Sequence, residues 1–426
     1  MPQGGLSYLC QHDECGGSRK ETTVLVIQKF GGTSVATPEM IHKSAAHVAE
    51  AYRQGHQVVV VVSAMAGMTD QLDRYVHDVS LAPDLREYDV VVSSGEQVTC
   101  GLMALALKSM GLPASSWLSW QVPVRASADF SQSRVKDIEP ARLQEALQRG
   151  MIPVVAGFQG VTDTHDLTTF GRGGSDITAV ALAVSLKADR CDLYKDVPGV
   201  LTADPRIVNT ARLIPFMTGQ EMLELASLGA KVLQPRAAEL ALSQGVSLRL
   251  LSTFEPGDGT HILLQENAVE QPLVRSLVCQ KHQAQLSLEY QDDFSLLLKE
   301  LERAHVSLDM MSFLNGRMSF SLPQEKADQT KSLIQQIQGK EKDVSIQRDL
   351  AKISLVGVGL RGHPRILRAL FDVLSEKKIT LEGSSLSETR MSILVTEEYA
   401  ELVVRLLHKA YDLGGEQPHD QELRSA

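Results

Sequence analysis

Lys29 sits at the end of an apolar run, "VLVIQKF", and Gly31, Gly32, Thr33 and Ser34 follow it. The run reads as a strand, and the residues beyond it as a turn that opens a helix. Glycines let backbone amides approach an anion closely, and a helix start favours negative charge. A lysine beside them adds a point charge, so the chemistry suggested is phosphate binding. Taken alone, the motif is explained equally well by a tight turn with an exposed lysine. It is not a P-loop, in which the lysine follows the second glycine of a longer loop.

A second glycine cluster carries more. Gly171, Arg172, Gly173, Gly174, Ser175 and Asp176 precede an apolar helix pattern. Arg172 can hold a carboxylate with a two-pronged bond. Ser175 can donate a further hydrogen bond, and Asp176 can orient a cation or a lysine. Ordinary capping would account for Ser175 or Asp176, but not for an arginine set between glycines. A third stretch, "LYKDVPGVLTADPRIV", places Asp196 after a strand and Arg206 in a second turn. Loops beyond strand ends are where nucleotides bind in open α/β sheets; two plain surface turns are the alternative. A fourth, "SLGAKVLQP", offers Lys231, which alone reads as a solvated surface lysine.

These residues need a frame to bring them together. From residue 24 to about 253, strand and helix patterns alternate, which implies an α/β sandwich with a mostly parallel sheet. Thr37 and Pro38 predict the start of the first helix, and Gly55 its end. Residues 254–262, "FEPGDGTHI", read as a turn and domain exit. Beyond them the rhythm changes to β-α-β-β-α, twice over, with Asn315-Gly316 as a hairpin signal. This is an internal repeat of a small ferredoxin-like unit.

The chain has 426 residues, 43% of them hydrophobic, and a net charge of -10. The length supports two or three domains, and the acidic balance argues against nucleic acid as the main partner. No apolar run reads as long enough for a membrane helix, and residues 1–22 read as a disordered extension without a secretory pattern. The five cysteines are scattered, and Cys100 and Cys191 fall in apolar segments, so a reducing cytoplasm is expected. Cys10, His12 and Cys15 make a weak candidate chelate that lacks a fourth ligand.

Read in order, "KFGGTS", "SAMAGMTD", "SSGEQ", "GFQG", "GRGGSD", "DVPGVLTADPR" and "GAKVLQP" resemble the aspartate kinases of the amino-acid-kinase superfamily. The two C-terminal repeats look like ACT domains, so the resemblance covers nearly the whole chain. It implies an amino-acid-kinase-like αβα sandwich over 23–268, then ACT-like α+β units over 273–349 and 350–426. It also implies transfer of the ATP γ-phosphoryl group to L-aspartate with Mg²⁺, giving 4-phospho-L-aspartate and ADP. Lys29 would then stabilise the transferring phosphoryl group, with Asp176 holding Lys29 and Gly31 and Gly32 cradling the same anion. Arg172 would bind the aspartate carboxylate, with Ser63, Thr69 and Ser175 as further contacts, and Glu96 the amino group. Lys195, Asp196, Leu201, Arg206 and Lys231 would lie about the nucleotide. No general base is needed, because the attacking carboxylate is already ionised.

The sequence departs from the family in places. Lys195 stands where many relatives have Thr or Ser, and Leu201 where many have Tyr, which predicts altered ATP affinity. The first ACT-like unit lacks the usual Pro-Gly turn, and the second reads His363-Pro364-Arg365 in place of His-Pro-Gly. Inhibition by lysine or threonine is therefore in doubt, while pairing of ACT units into a homodimer or larger homo-oligomer is still expected. Two other readings remain: a related amino-acid kinase with another substrate, and a non-catalytic amino-acid sensor.

Overall fold

The computed structural model describes residues 23–230, 232–263, 273–289, 294–304, 306–338 and 344–415. Its N-terminal part is built on an eight-stranded sheet. From one edge to the other the strands are Phe216–Thr218, Thr260–Leu263, Leu248–Ser252, Arg190–Lys195, Leu25–Phe30, Gln57–Val62, Ile152–Ala156 and Ala114–Trp117. All neighbours run parallel except Leu248–Ser252 against Thr260–Leu263. The unbroken valines of Gln57–Val62 follow from this position. Val59 and Val61 enter the core on one face, and Val58, Val60 and Val62 the core on the other, as period-two alternation in a sheet covered on both sides requires.

The first helix, Pro38–Arg53, starts where expected: Thr37 accepts from the Met40 amide, and proline fills the first turn. The turn at 254–262 does not release the chain from the domain. Thr260–Leu263 folds back as a strand between Leu248–Ser252 and Phe216–Thr218, because its alternating buried residues complete the sheet. One helical stretch is nonetheless apolar by composition. Within the joined helices Leu85–Ser109, 25 residues long, an 18-residue window reaches a mean hydropathy of 1.5, which by length and composition alone would suffice to cross a membrane. Packing accounts for that composition, since Val92, Cys100, Met103 and Leu107 are fully buried and the last three join the core against Gln57–Val62 and Ile152–Ala156. Residues 1–22, and with them Cys10, His12 and Cys15, lie outside the described residues.

A second, four-stranded sheet orders Val135–Ile138, Val124–Ala126, Gln159–Val161 and Leu167–Thr169 and forms one wall of the site. The C-terminal repeats share a third sheet of six strands. The expected boundary at 349/350 falls inside one strand, Val344–Val356. That strand pairs along most of its length with Ser276–Glu289, with register shifts at the middle. The early part of Ser276–Glu289 serves the second unit's core, through Leu277, and the later part the first unit's, through Leu286 and Leu288. The hairpin at Asn315-Gly316 is present, with both residues at positive φ as a tight two-residue turn requires.

Candidate active site

Parallel strands deliver the ends of their side-chain rows to one edge of the sheet. Lys29, near the end of Leu25–Phe30, places its Nζ 2.6 Å from Asp176 Oδ1. Asp176 lies in the first turn of helix Gly174–Leu186. Lys195 ends the neighbouring strand, and its Nζ lies 3.2 and 3.0 Å from the two oxygens of the same carboxylate. Lys29 and Asp176 are only 4% and 3% exposed. Two ammonium groups thus share one buried carboxylate beneath the cavity, and Lys29 lines it. Burial pushes Lys29 down to about 8, Asp176 opposes the shift, and Lys195 adds to it. Burial also works against the Asp176 charge, but Lys195 and Lys29 outweigh it and hold that carboxyl well below its usual range.

The glycines on the Arg172 side have a local cause. Gly171 and Gly173 both have φ +74°, and a Cβ on Gly173 would come within 2.5 Å of the Gln234 side chain. Only glycine takes this left-handed path at little cost. Gly173 is the cap residue, with no side-chain hydrogen bond; Asp176 is spent on the two lysines instead of on capping.

The glycines after Lys29 behave differently from expectation. Neither has positive φ. The Gly31 amide donates to the Tyr194 carbonyl at 3.2 Å, so it is engaged with the neighbouring strand and not free to cradle an anion. A 3-10 turn, Thr33–Val35, follows, and the helix starts only at Pro38. At Gly32 glycine secures space, since a Cβ there would lie 3.1 Å from the Ala64 carbonyl; one on Gly31 would meet nothing nearer than 3.6 Å, an ordinary contact.

Glu96, in the first turn of helix Ser94–Ser109, is 3% exposed. Its Oε1 accepts from the Ala64 amide at 2.9 Å, and its Oε2 is buried with no partner. Burial pushes this carboxyl up to about 7, against the Ala64 amide and the charge of Lys29. A buried carboxylate oxygen without a donor is costly, and a cationic ligand would supply the missing hydrogen bond.

Lys29, Ser63, Thr69, Glu96, Arg172 and Ser175 all line one cavity of about 880 Å³. The nucleotide-side residues are not gathered in the same way. Lys195 reaches Asp176 beneath the cavity, while Asp196 is exposed beside it. Leu201 is half-buried and its carbonyl accepts from Ser276 Oγ. Arg206 folds back on Asp204, with contacts of 3.0 and 2.6 Å. None of these lines the cavity, and Lys231 lies outside the described residues. Charged residues beside the site that escaped the sequence reading include Asp70 and Asp73, which line the cavity, and Asp89 and Arg236, which hold its wall. The available signal for Asp89 was a carboxylate inside the apolar run "YDVVV"; Arg236 follows "LQP" with no local signal.

Comparisons with known proteins agree with this geometry. The amino acid kinase family model matches residues 24–252, and an ACT domain model residues 345–409. An aspartate kinase of Stutzerimonas stutzeri is 40% identical over 402 residues, covering 91% of this chain and 97% of its own. Aspartokinase 2 of Bacillus subtilis is 39% identical over 400 residues, with 91% and 98% covered. Among solved structures, E. coli aspartokinase III in complex with aspartate and ADP superposes with a TM-score of 0.76 at 25% identity, covering 91% of this chain and 99% of that one. The same enzyme with lysine and aspartate gives 0.72 at 26%, with 90% and 99% covered. The cavity floor, the shared ACT sheet and identity near 40% along nine-tenths of the chain lead to one assignment: this chain belongs to the aspartate kinase family.

Proposed function

We propose that this chain transfers the γ-phosphoryl group of ATP to the side-chain carboxylate of L-aspartate. The carboxylate oxygen attacks the γ-phosphorus, the bond to the β–γ bridging oxygen breaks, and 4-phospho-L-aspartate and ADP leave. The observation that carries this reading is the pair of ammonium groups on buried Asp176 at the floor of a cavity whose wall holds Arg172 and Glu96. Phosphoryl transfer needs alignment and charge cancellation more than covalent catalysis. Lys29 supplies charge at the transferring group, and Lys195 adds a second cation beside it. Glu96 offers its unpaired oxygen to the substrate ammonium, and Arg172 its guanidinium to the carboxylate that is not phosphorylated. Ser63, Thr69 and Ser175 complete the substrate contacts.

ATP enters as its Mg²⁺ complex. Asp176 is engaged with two lysines, and no cluster of three or more metal-ligating side chains occurs among the described residues. The phosphates and water would hold most of the ion's coordination sphere. Asp196, Arg206 and Lys231 remain the candidates for the nucleotide, and Arg206 must leave Asp204 to reach it. Neither a different amino-acid substrate nor a non-catalytic sensor is favoured by the likenesses above. The relatives solved with aspartate and ADP, and with lysine and aspartate, support substrate and effector roles for the corresponding parts of this chain.

The test is acyl-phosphate formation from L-aspartate and MgATP, trapped as the hydroxamate. Product from wild type, lost in Lys29→Ala, supports the reading; phosphorylation of glutamate with none of aspartate overturns it.

A further inference from the structure

The wall that carries Arg172 is pinned from two sides by charged side chains, one fully buried and one half-buried. On one side stands Asp89, fully buried on helix Leu85–Val92. Its Oδ2 accepts from the Ser131 amide at 2.8 Å, the Thr169 amide at 2.9 Å and Thr168 Oγ1 at 3.1 Å. Its Oδ1 accepts from Thr169 Oγ1 at 2.7 Å. Among the described residues its charge is met by these dipoles and not by a counter-ion. On the other side stands Arg236, in the first turn of helix Pro235–Gln244. It donates to the Phe170 carbonyl at 3.0 Å and the Ser133 carbonyl at 2.8 Å.

Both side chains therefore grip the same two segments, the loop at 131–133 and the strand end at 168–170. The anion takes up their N–H and O–H donors, and the cation their carbonyls. Ser131 is held at φ +68°, a conformation that a non-glycine residue keeps only when its surroundings fix it. Gly171 and Arg172 leave directly from the clamped strand end, and a Cβ on Gly171 would lie 3.1 Å from the Ser131 carbonyl. Apolar packing could stabilise such a wall as well as buried charge does. Directional hydrogen bonds add a defined placement of its backbone.

We propose that Asp89 and Arg236 are positioning residues that set where Arg172 meets the non-reacting carboxylate of the substrate. The inference rests on Arg172 being that carboxylate's ligand. The test is steady-state kinetics on full-length wild type, Asp89→Asn, Arg236→Gln and Arg172→Ala. Thermal unfolding, and the preference for L-aspartate over its α-amide, would be measured beside it. Displacing a binding group by a fraction of an ångström to 1 Å changes rates by about 10- to 100-fold. KM for aspartate should therefore rise about 10-fold in both positioning variants, with KM for ATP nearly unchanged and the preference over the α-amide reduced. Wild-type values in both variants, alongside a loss in Arg172→Ala, overturn the positioning role alone. Wild-type aspartate KM in Arg172→Ala overturns the underlying reading. A lowered unfolding temperature with both KM values raised together marks a merely structural role and also overturns the proposal. Should Asp89→Asn fail to fold, half-buried Arg236 carries the test.

Discussion

Lys29 and Glu96 are both buried ionisable groups beside one cavity, and burial moves them toward each other on the pH scale. Glu96 must be ionised to hold an ammonium, and its carboxyl titrates at about 7. Lys29 must be charged to meet a phosphate, and it titrates at about 8. The expected kcat/KM for aspartate rises with pH through about 7 and falls through about 8, a narrow bell. Glu96→Gln should lose the acid limb, and a pH–rate profile of the two proteins checks this. The same shift has a stability consequence of known sign. The folded state holds the Glu96 proton more tightly than the unfolded chain, so stability declines as pH rises from about 4.5 to about 7. Glu96→Gln should therefore melt above wild type at pH 8 and lose that advantage below pH 4.5, by calorimetry at both values. Lys29→Ala removes one of the two cations at the floor and should lower kcat by ~100-fold or more. That loss would appear in single-turnover hydroxamate formation with the aspartate KM changed far less.

At the scale of elements, the site depends on a few backbone turns. Gly173→Ala would force a Cβ into a left-handed position and against Gln234. The strain should cost about 1–3 kcal/mol, read as a lower urea midpoint, and should raise the aspartate KM by shifting Arg172. The first helix start and most strands were legible from capping residues and period-two runs, Thr37-Pro38 and "QVVVVV" being clear cases. The turn at 254–262 was legible as a turn but not as a return to the sheet, since only the partners of Thr260–Leu263 reveal where that strand pairs. The same limit explains Gly31. Its glycine was visible, but the Tyr194 carbonyl that takes its amide lies 163 positions away in the chain.

The whole molecule joins the nucleotide-side loop to the ACT tandem. Ala203 and Val208 lie in the core of the second ACT unit, with Leu277, Leu407 and Leu413. Thr202 Oγ1 shares a buried hydrogen bond with His408 Nε2, and the Thr202 carbonyl accepts from the Leu277 amide. A chain ended at Leu263 should therefore lose the shape of the "TADPR" loop. KM for ATP should rise more than KM for aspartate, a split measurable if the truncated chain retains any activity. The ACT edge strand Asp309–Leu314 exposes Met311, Phe313 and Leu314, which supports the proposed assembly through these units. A homodimer or larger oligomer is expected by light scattering at micromolar concentration, and a monomer would contradict it.

Motifs and periodicity in the sequence carried the family resemblance, the alternating α/β frame and candidate residues that line one cavity. Those features are local, because propensity, periodicity and glycine placement act over a few neighbouring residues. Tertiary structure decided which charges meet. Lys195 was legible as a nucleotide-side lysine, yet its bond to Asp176 depends on strand Arg190–Lys195 lying beside Leu25–Phe30. Arg206 turned to Asp204 and away from the cavity. Asp89 and Arg236 acquired their roles only when distant helices closed on one wall. A buried charge is set by whatever partner folding brings within about 3 Å, and no spacing along the chain encodes that distance.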